Sequence, residues 1–160
     1  MIFVTVGSQM PFDRLIEQVD EWAGLRGRRK DVFAQIGPST YVPRNIEARA
    51  FVSPDEFRAY IEEAEAVVAH AGMGTIIETL QRQKPLLVFP RLGALGETRN
   101  DHQTATARRF AESGRLLAAY SEEELIEQLE KLADFRPASP LGPTASPALL
   151  DRVRRFVFEQ

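Results

Sequence analysis

The segment Ala66-Val67-Val68-Ala69-His70-Ala71-Gly72-Met73-Gly74-Thr75-Ile76-Ile77-Glu78-Thr79-Leu80 passes from a strand, through a glycine turn, into a helix. Ala66 to His70 is a short apolar run suited to a buried strand. Thr75 to Leu80 reads as the start of a helix. A strand, a tight glycine turn and a helix N-terminus together make an anion site, because exposed N–H groups and the positive end of the helix dipole point into the turn. Glycine lets a phosphate approach the backbone closely. Glu78, one turn into the helix, can accept hydrogen bonds from a pair of sugar hydroxyls. The chemistry indicated is a phosphorylated sugar, most economically a nucleotide.

Outward from this unit, strands and helices alternate. Residues 2–6 read as a strand, followed by the turn Gly7-Ser8-Gln9 and a helix from Pro11 to Trp22. Strands are expected over 32–36 and 46–52. Ser53-Pro54-Asp55-Glu56 then opens a helix, with Ser53 as N-cap and Glu56 completing a capping box. Further strands are expected over 86–89 and 115–120, and helices over 101–113 and 121–133, with Ser121 and Glu124 as a second capping box. Alternation of this kind predicts a Rossmann-like, doubly wound parallel sheet of the α/β class. If the strand order is 3-2-1-4-5-6, strands one and four flank the switch point, where ligands bind at the carboxyl ends. The two glycine turns follow those two strands. Residues 1–134 form the predicted domain. Residues 135–147 carry four of the ten prolines and read as a linker. In 148–160, Leu149, Leu150, Val153, Phe156 and Val157 repeat with the spacing of an amphipathic helix.

Composition narrows the function. A chain of 160 residues with 44% hydrophobic and 27% charged residues reads as one globular domain with a real core. The net charge of -3 argues against general nucleic-acid binding. Without cysteine, and with two histidines, a thiolate or His-rich metal site is not expected. The first residues lack the basic flank of a signal peptide, and no apolar run approaches the roughly 18 residues of a membrane span. A cytoplasmic location is expected. G-x-S-x-G, the Walker lysine and G-x-G-x-x-G are all missing; Ile77 stands where the last of these needs its third glycine. A dinucleotide cofactor is therefore disfavoured.

Each residue also has an ordinary reading. Gly7 can be only a turn, and His70 a satisfied polar residue ending a strand. Glu78 reads alone as a solvated helix position, Asp101-His102-Gln103 as a helix start, and Phe51 and Val52 as core.

Three motifs taken in order resemble a known family. They are His70-Ala71-Gly72-x-Gly74-Thr75-x-x-Glu78, Lys84-Pro85-Leu86-x-Val88-x-Pro90 and Asn100-Asp101-His102-Gln103. The series looks like the nucleotide-sugar half of a family 28 glycosyltransferase. The opening Val4-Thr5-Val6-Gly7-Ser8, with Phe12-Asp13-x-Leu15-Ile16, is similar to short members that work as one subunit of a two-chain transferase. These include the soluble subunit that adds the second N-acetylglucosamine of the N-glycan precursor, and bacterial capsule and exopolysaccharide subunits. The resemblance covers residues 1 to about 120.

The resemblance implies one Rossmann-like half of a GT-B enzyme. Carried over residue by residue, Gly7, Ser8 and the segment His70, Ala71, Gly72, Met73, Gly74 and Thr75 hold the diphosphate. Glu78 binds the ribose. Asn100, Asp101, His102 and Gln103 belong to the donor-sugar side, with His102 and Gln103 facing the sugar. Phe51 and Val52 lie by the uracil. No metal or other cofactor is expected. The expected partner is a membrane-associated, acceptor-binding transferase chain that supplies the base and brings a lipid-linked saccharide used in surface polysaccharide assembly. This chain would be peripheral to the membrane through it, and inactive alone. The alternatives are a non-catalytic nucleotide-sugar-binding regulatory module and a small interaction domain without a ligand.

Overall fold

The first strand sits near the middle of the sheet and fixes the rest. The computed structural model describes residues 1–99, 102–138 and 147–158. Its strands are β1 (Ile2–Thr5), β2 (Val32–Gln35), β3 (Glu47–Arg49), β4 (Ala66–Ala69), β5 (Leu86–Val88) and β6 (Leu117–Ala118). They pair in the order β3-β2-β1-β4-β5-β6, and every pairing is parallel. The helices are α1 (Asp13–Leu25), α2 (Pro54–Glu63), α3 (Met73–Gln81), α4 (His102–Glu112), α5 (Glu122–Lys131) and α6 (Pro147–Phe158). Crossovers between parallel strands are right-handed. From β1 the chain steps one way to β2, and from β4 it steps the other way to β5, so α1 and α3 must cover opposite faces.

The two cores follow from that rule and from the alternation of side chains along each strand. Ile2, Val4, Val32, Ala34, Ala66, Val68 and Leu87 face Leu15, Ile16, Val19 and Trp22 of α1 and Leu125 and Leu129 of α5. Phe3, Phe33, Val67, Ala69, Leu86 and Val88 face Ile61 of α2, Ile76 and Leu80 of α3 and Ala107 of α4. The second face is aromatic where β1 and β2 meet α2: Phe33 stacks on Tyr60 at 4.4 Å, and Phe3 lies 5.3 Å from the same ring.

The connection from β2 to β3 contains no helix. Two aspartates of α1 hold it instead. Asp13 accepts hydrogen bonds from the Ser39 hydroxyl at 2.5 Å and from the Thr40 N–H and hydroxyl. Asp20, only 1% exposed, accepts from the backbone N–H groups of Arg44, Asn45 and Ile46 and from the Tyr41 hydroxyl. Burial alone would raise the Asp20 pKa. The N–H groups of Arg44 and Asn45 and the Tyr41 hydroxyl outweigh it, and the net direction is downward.

Several expected boundaries move. Pro11 precedes the first helix instead of opening it: α1 starts at Asp13, and Phe12 turns into the core, 1% exposed, stacked on Phe89 at 5.8 Å. The helix after β4 starts at Met73, two residues before Thr75, so Met73 and Gly74 form its first turn. The Ser53–Glu56 capping box is present. At α5 only half of the expected box forms: Ser121 accepts from Glu124 N, while the Glu124 carboxylate accepts from Tyr120 N at 2.8 Å. Most of the expected linker lies outside the described residues. No residue of α6 is buried, and Phe156 is 72% exposed.

A carboxylate with a depressed native pKa stabilises the fold fully above its unfolded value, and that stability is lost as pH falls through the folded value. Asp20 therefore contributes at neutral pH and ceases to do so in acid. Asp20→Asn should lower stability at pH 7 by roughly 1.5–3 kcal/mol, the range for hydrogen bonds to a charged group. It should also flatten the acid limb of the stability profile below about pH 4, where a free aspartate titrates. Urea unfolding from pH 3 to 7 checks both; an unchanged midpoint at pH 7 would refute the clamp.

Candidate functional site: a cationic cleft at the switch point

The carboxyl ends of β1 and β4 diverge over a cleft of about 950 Å³. Among the described residues it is lined by Gly7, Ser8, His70, Gly72, Gly74, Thr75, His102 and Gln103 from the expected set, and by Val6, Gln9, Met10, Arg91, Glu97, Thr98 and Arg99 besides. The site thus forms where the strand order reverses.

The two glycine turns serve different ends. Gly7 has φ +78°, in the left-handed region, and a β-carbon there would lie 2.8 Å from His70 Cε1. Gly72 has an ordinary φ of -82°, but a β-carbon there would overlap the His70 imidazole. His70 is packed between these two backbones, so both must be glycine. Gly74 differs, because nothing lies within 4 Å of where its β-carbon would stand. That open side faces the cleft. Gly72 provides no capping side chain, so the N–H groups of the first turn of α3 are left for a ligand. The Gly7 N–H donates to Thr5 Oγ1 at 3.2 Å, and Gln35 Nε2 donates to the Gly7 carbonyl at 2.9 Å. The first turn is thereby held from beneath by β1 and β2.

Among the described residues the cleft is lined by the cations Arg91 and Arg99 and by the carboxylate of Glu97. Burial, and then the charge of Arg91, push the His70 pKa down to about 4, with the Thr5 carbonyl opposing. At neutral pH the imidazole is uncharged, and its Nδ1 is buried without a hydrogen-bond partner. Arg91 is 3% exposed. Glu97, the one carboxylate lining the cleft among the described residues, is committed elsewhere: it grips Arg14 through bonds of 2.8 and 2.9 Å.

Other expected residues fall outside the lining. Ala71 is core, 2% exposed. Met73 is exposed on the first turn of α3. Glu78 forms an ion pair with Arg82 one turn along α3, and Arg82 also reaches Glu62 at 3.2 Å. Val52 packs on the core and Phe51 is 55% exposed. Gln103, 7% exposed, lines the cleft and also accepts the Arg91 N–H on Oε1 at 3.2 Å. Asn100 and Asp101 lie outside the described residues. Sequence reading missed Arg91 and Glu97. Neither carries a local signal: both stand in the loop after β5, and the partners of Arg91 in the turn after β1 lie far away in the chain.

A doubly wound parallel sheet with a glycine turn and an uncapped helix start at its switch point defines a Rossmann-like α/β unit. Residues 1–148 match the glycosyltransferase family 28 C-terminal domain, and the chain belongs to that family. It is 32% identical over 125 residues to the human UDP-N-acetylglucosamine transferase subunit ALG13, covering 72% of this chain and 10% of that protein. It is 31% identical over 136 residues to a Chromohalobacter salexigens enzyme, UDP-N-acetylglucosamine--N-acetylmuramyl-(pentapeptide) pyrophosphoryl-undecaprenol N-acetylglucosamine transferase. That match takes in 82% of this chain and 35% of the enzyme. The chain thus spans well under half the length of either relative. In structure it resembles ALG13 in solution, with a TM-score of 0.61, 20% identity, and coverage of 95% of this chain and 93% of that one. It also resembles Acinetobacter baumannii MurG, at 0.58 and 18%, over 96% and 49% of the two chains. The fold is one half of a GT-B glycosyltransferase.

The two glycines of the second turn separate fold from ligand. Gly72→Ala should displace His70 and lower the melting temperature. Gly74→Ala fills open space in a helical first turn and should leave stability unchanged or raise it by about 0.5–1 kcal/mol, while weakening binding of a phosphorylated ligand. Paired thermal melts and ligand titrations check this; equal behaviour of the two variants would contradict the assignment.

Proposed function

We propose that this chain is the donor-binding subunit of an inverting UDP-sugar glycosyltransferase. The observation that carries this reading is the convergence of the His70–Thr75 turn, the uncapped start of α3 and the buried Arg91 on one cleft, in a chain of this family. The diphosphate binds at the turn. His102 and Gln103 face the sugar. Glu78 accepts the ribose hydroxyls, which requires it to share or leave Arg82. Phe51 and Val52 flank the uracil through their backbone. As the glycosidic bond breaks, negative charge grows on the departing UDP, and the N–H groups of α3 and the Arg91 charge stabilise it without a metal ion.

The base that deprotonates the acceptor hydroxyl is assigned to a second, membrane-associated chain, which also holds a lipid-linked saccharide used in surface polysaccharide or glycan assembly. The human relative is named a transferase subunit, and the Chromohalobacter relative is named for an undecaprenol-linked acceptor; both names support this reading. The exposed apolar face of α6 fits docking on that chain. The subunit would then work in the cytoplasm, at the membrane, and transfer only in the complex. A non-catalytic nucleotide-sugar-binding module is the alternative, and a transfer assay with the partner separates the two.

UDP should bind in the presence of chelator. Glu78→Ala should weaken that binding by roughly 1.5–3 kcal/mol with little change in melting temperature. Calorimetry checks both, and binding that appears only with added magnesium would sink the metal-free reading.

Removing residues 148–160 should leave UDP binding intact and abolish both capture of the partner and sugar transfer. A truncated chain that still transfers at the normal rate would release α6 from this role.

A further inference from the structure

Arg91 is buried at the floor of the cleft, yet among the described residues no acidic side chain bonds to it. Among the described residues its guanidinium donates only to backbone carbonyls. Nη1 reaches Pro11 O at 2.5 Å and Glu97 O at 3.1 Å; Nη2 reaches Val6 O and Met10 O, each at 2.7 Å. Three of these carbonyls belong to the turn after β1, and the fourth to the loop after β5. The Arg91 Cζ lies 4.8 Å from the centre of the Phe12 ring. The second loop is tied independently: the Glu97 carboxylate grips Arg14 of α1 and accepts the Leu92 N–H at 2.9 Å. Arg14 in turn lies 4.0 Å from the centre of the Phe89 ring.

We infer that Arg91 is a positioning residue for the diphosphate: its planar fork locks the turn after β1 and the loop after β5 into one preformed cradle, and turns four carbonyl oxygens away from the incoming anion. The inference rests on the donor-binding reading above and deepens it. Two physical points support it. A carbonyl oxygen presented to a diphosphate repels it, and each one drawn onto a guanidinium removes that repulsion. A cation buried without a paired carboxylate leaves positive potential in the cleft, where a low local dielectric makes it effective. Arginine alone offers a flat fork wide enough for four acceptors; lysine carries the same charge at a point. Burial lowers the Arg91 pKa, opposed by the charge of Glu97, as for any cation taken out of water.

The test uses the full chain and the variants Arg91→Lys and Arg91→Gln, with UDP and inorganic pyrophosphate as probes. Arg91→Lys keeps the charge and loses the fork. It should weaken both probes by roughly 10- to 100-fold, because the charge-assisted hydrogen bonds that hold the cradle preformed are lost. In the free protein, amide resonances of Ser8 to Met10 and Leu92 to Thr98 should shift or broaden while those of α5 stay in place. Arg91→Gln should lose more affinity, since it loses the charge as well. A lysine variant that binds both probes as the parent does, with unmoved loop amides, would overturn the inference. So would a variant that loses UDP and keeps pyrophosphate, since the defect would then lie at the nucleoside end. Shifts spread across the whole spectrum would make Arg91 a general structural residue and overturn it too. If the parent chain fails to bind UDP, the donor-binding reading falls, while the amide signature still judges the locking of the loops.

Discussion

The handedness of the β-α-β crossover governs this molecule. Because each crossover is right-handed, the reversal of direction between β1 and β4 sends α1 to one face and α3 to the other. Their first turns then part above the sheet, and the gap between them is the cleft. The site exists because a single chirality rule is applied in two directions from one pair of adjacent strands, and the glycine turns after β1 and β4 stand at that point.

What local sequence could disclose was short-range. The apolar runs of β1, β2, β4 and β5 are nearly all buried, so composition alone marked them. The Ser53–Glu56 capping box closes within three residues and was legible for the same reason. The strand order 3-2-1-4-5-6 was an assumption that no local pattern supplies, and the sheet has that order. Pro11 misled because its fixed φ suits a helix start, whereas the burial of Phe12 and the claim of Arg91 on the Pro11 carbonyl decide the local path. Arg91 itself was not legible. Its partners at Val6, Met10 and Pro11 stand some eighty positions away in the chain, and no local pattern reports such a contact. Asp20 is the same case: it reads as a polar residue of an amphipathic helix, and only the fold brings the 44–46 backbone to it.

The cleft also divides its charges by task. Glu97 and Arg14 neutralise one another at the margin, each mostly buried, and stabilise the loop through their geometry. Arg91 donates from both terminal nitrogens to four backbone carbonyls, and among the described residues no carboxylate bonds to it. His70 is held uncharged between two glycine backbones. One cation is held through a carboxylate and the other through backbone carbonyls.

The edges of the sheet bear on how the chain can associate. β3 is three residues long, with Glu47 and Arg49 exposed, and Arg49 reaches Glu56 of α2 at 3.4 Å. At the opposite edge, β6 has two residues. A short, charged border at one side and a minimal strand at the other offer a foreign strand little to pair with. Lateral extension of the sheet by β-augmentation is therefore disfavoured at both ends. Assembly with another polypeptide falls to side-chain surfaces, whose contacts can form and separate without rebuilding a backbone ladder.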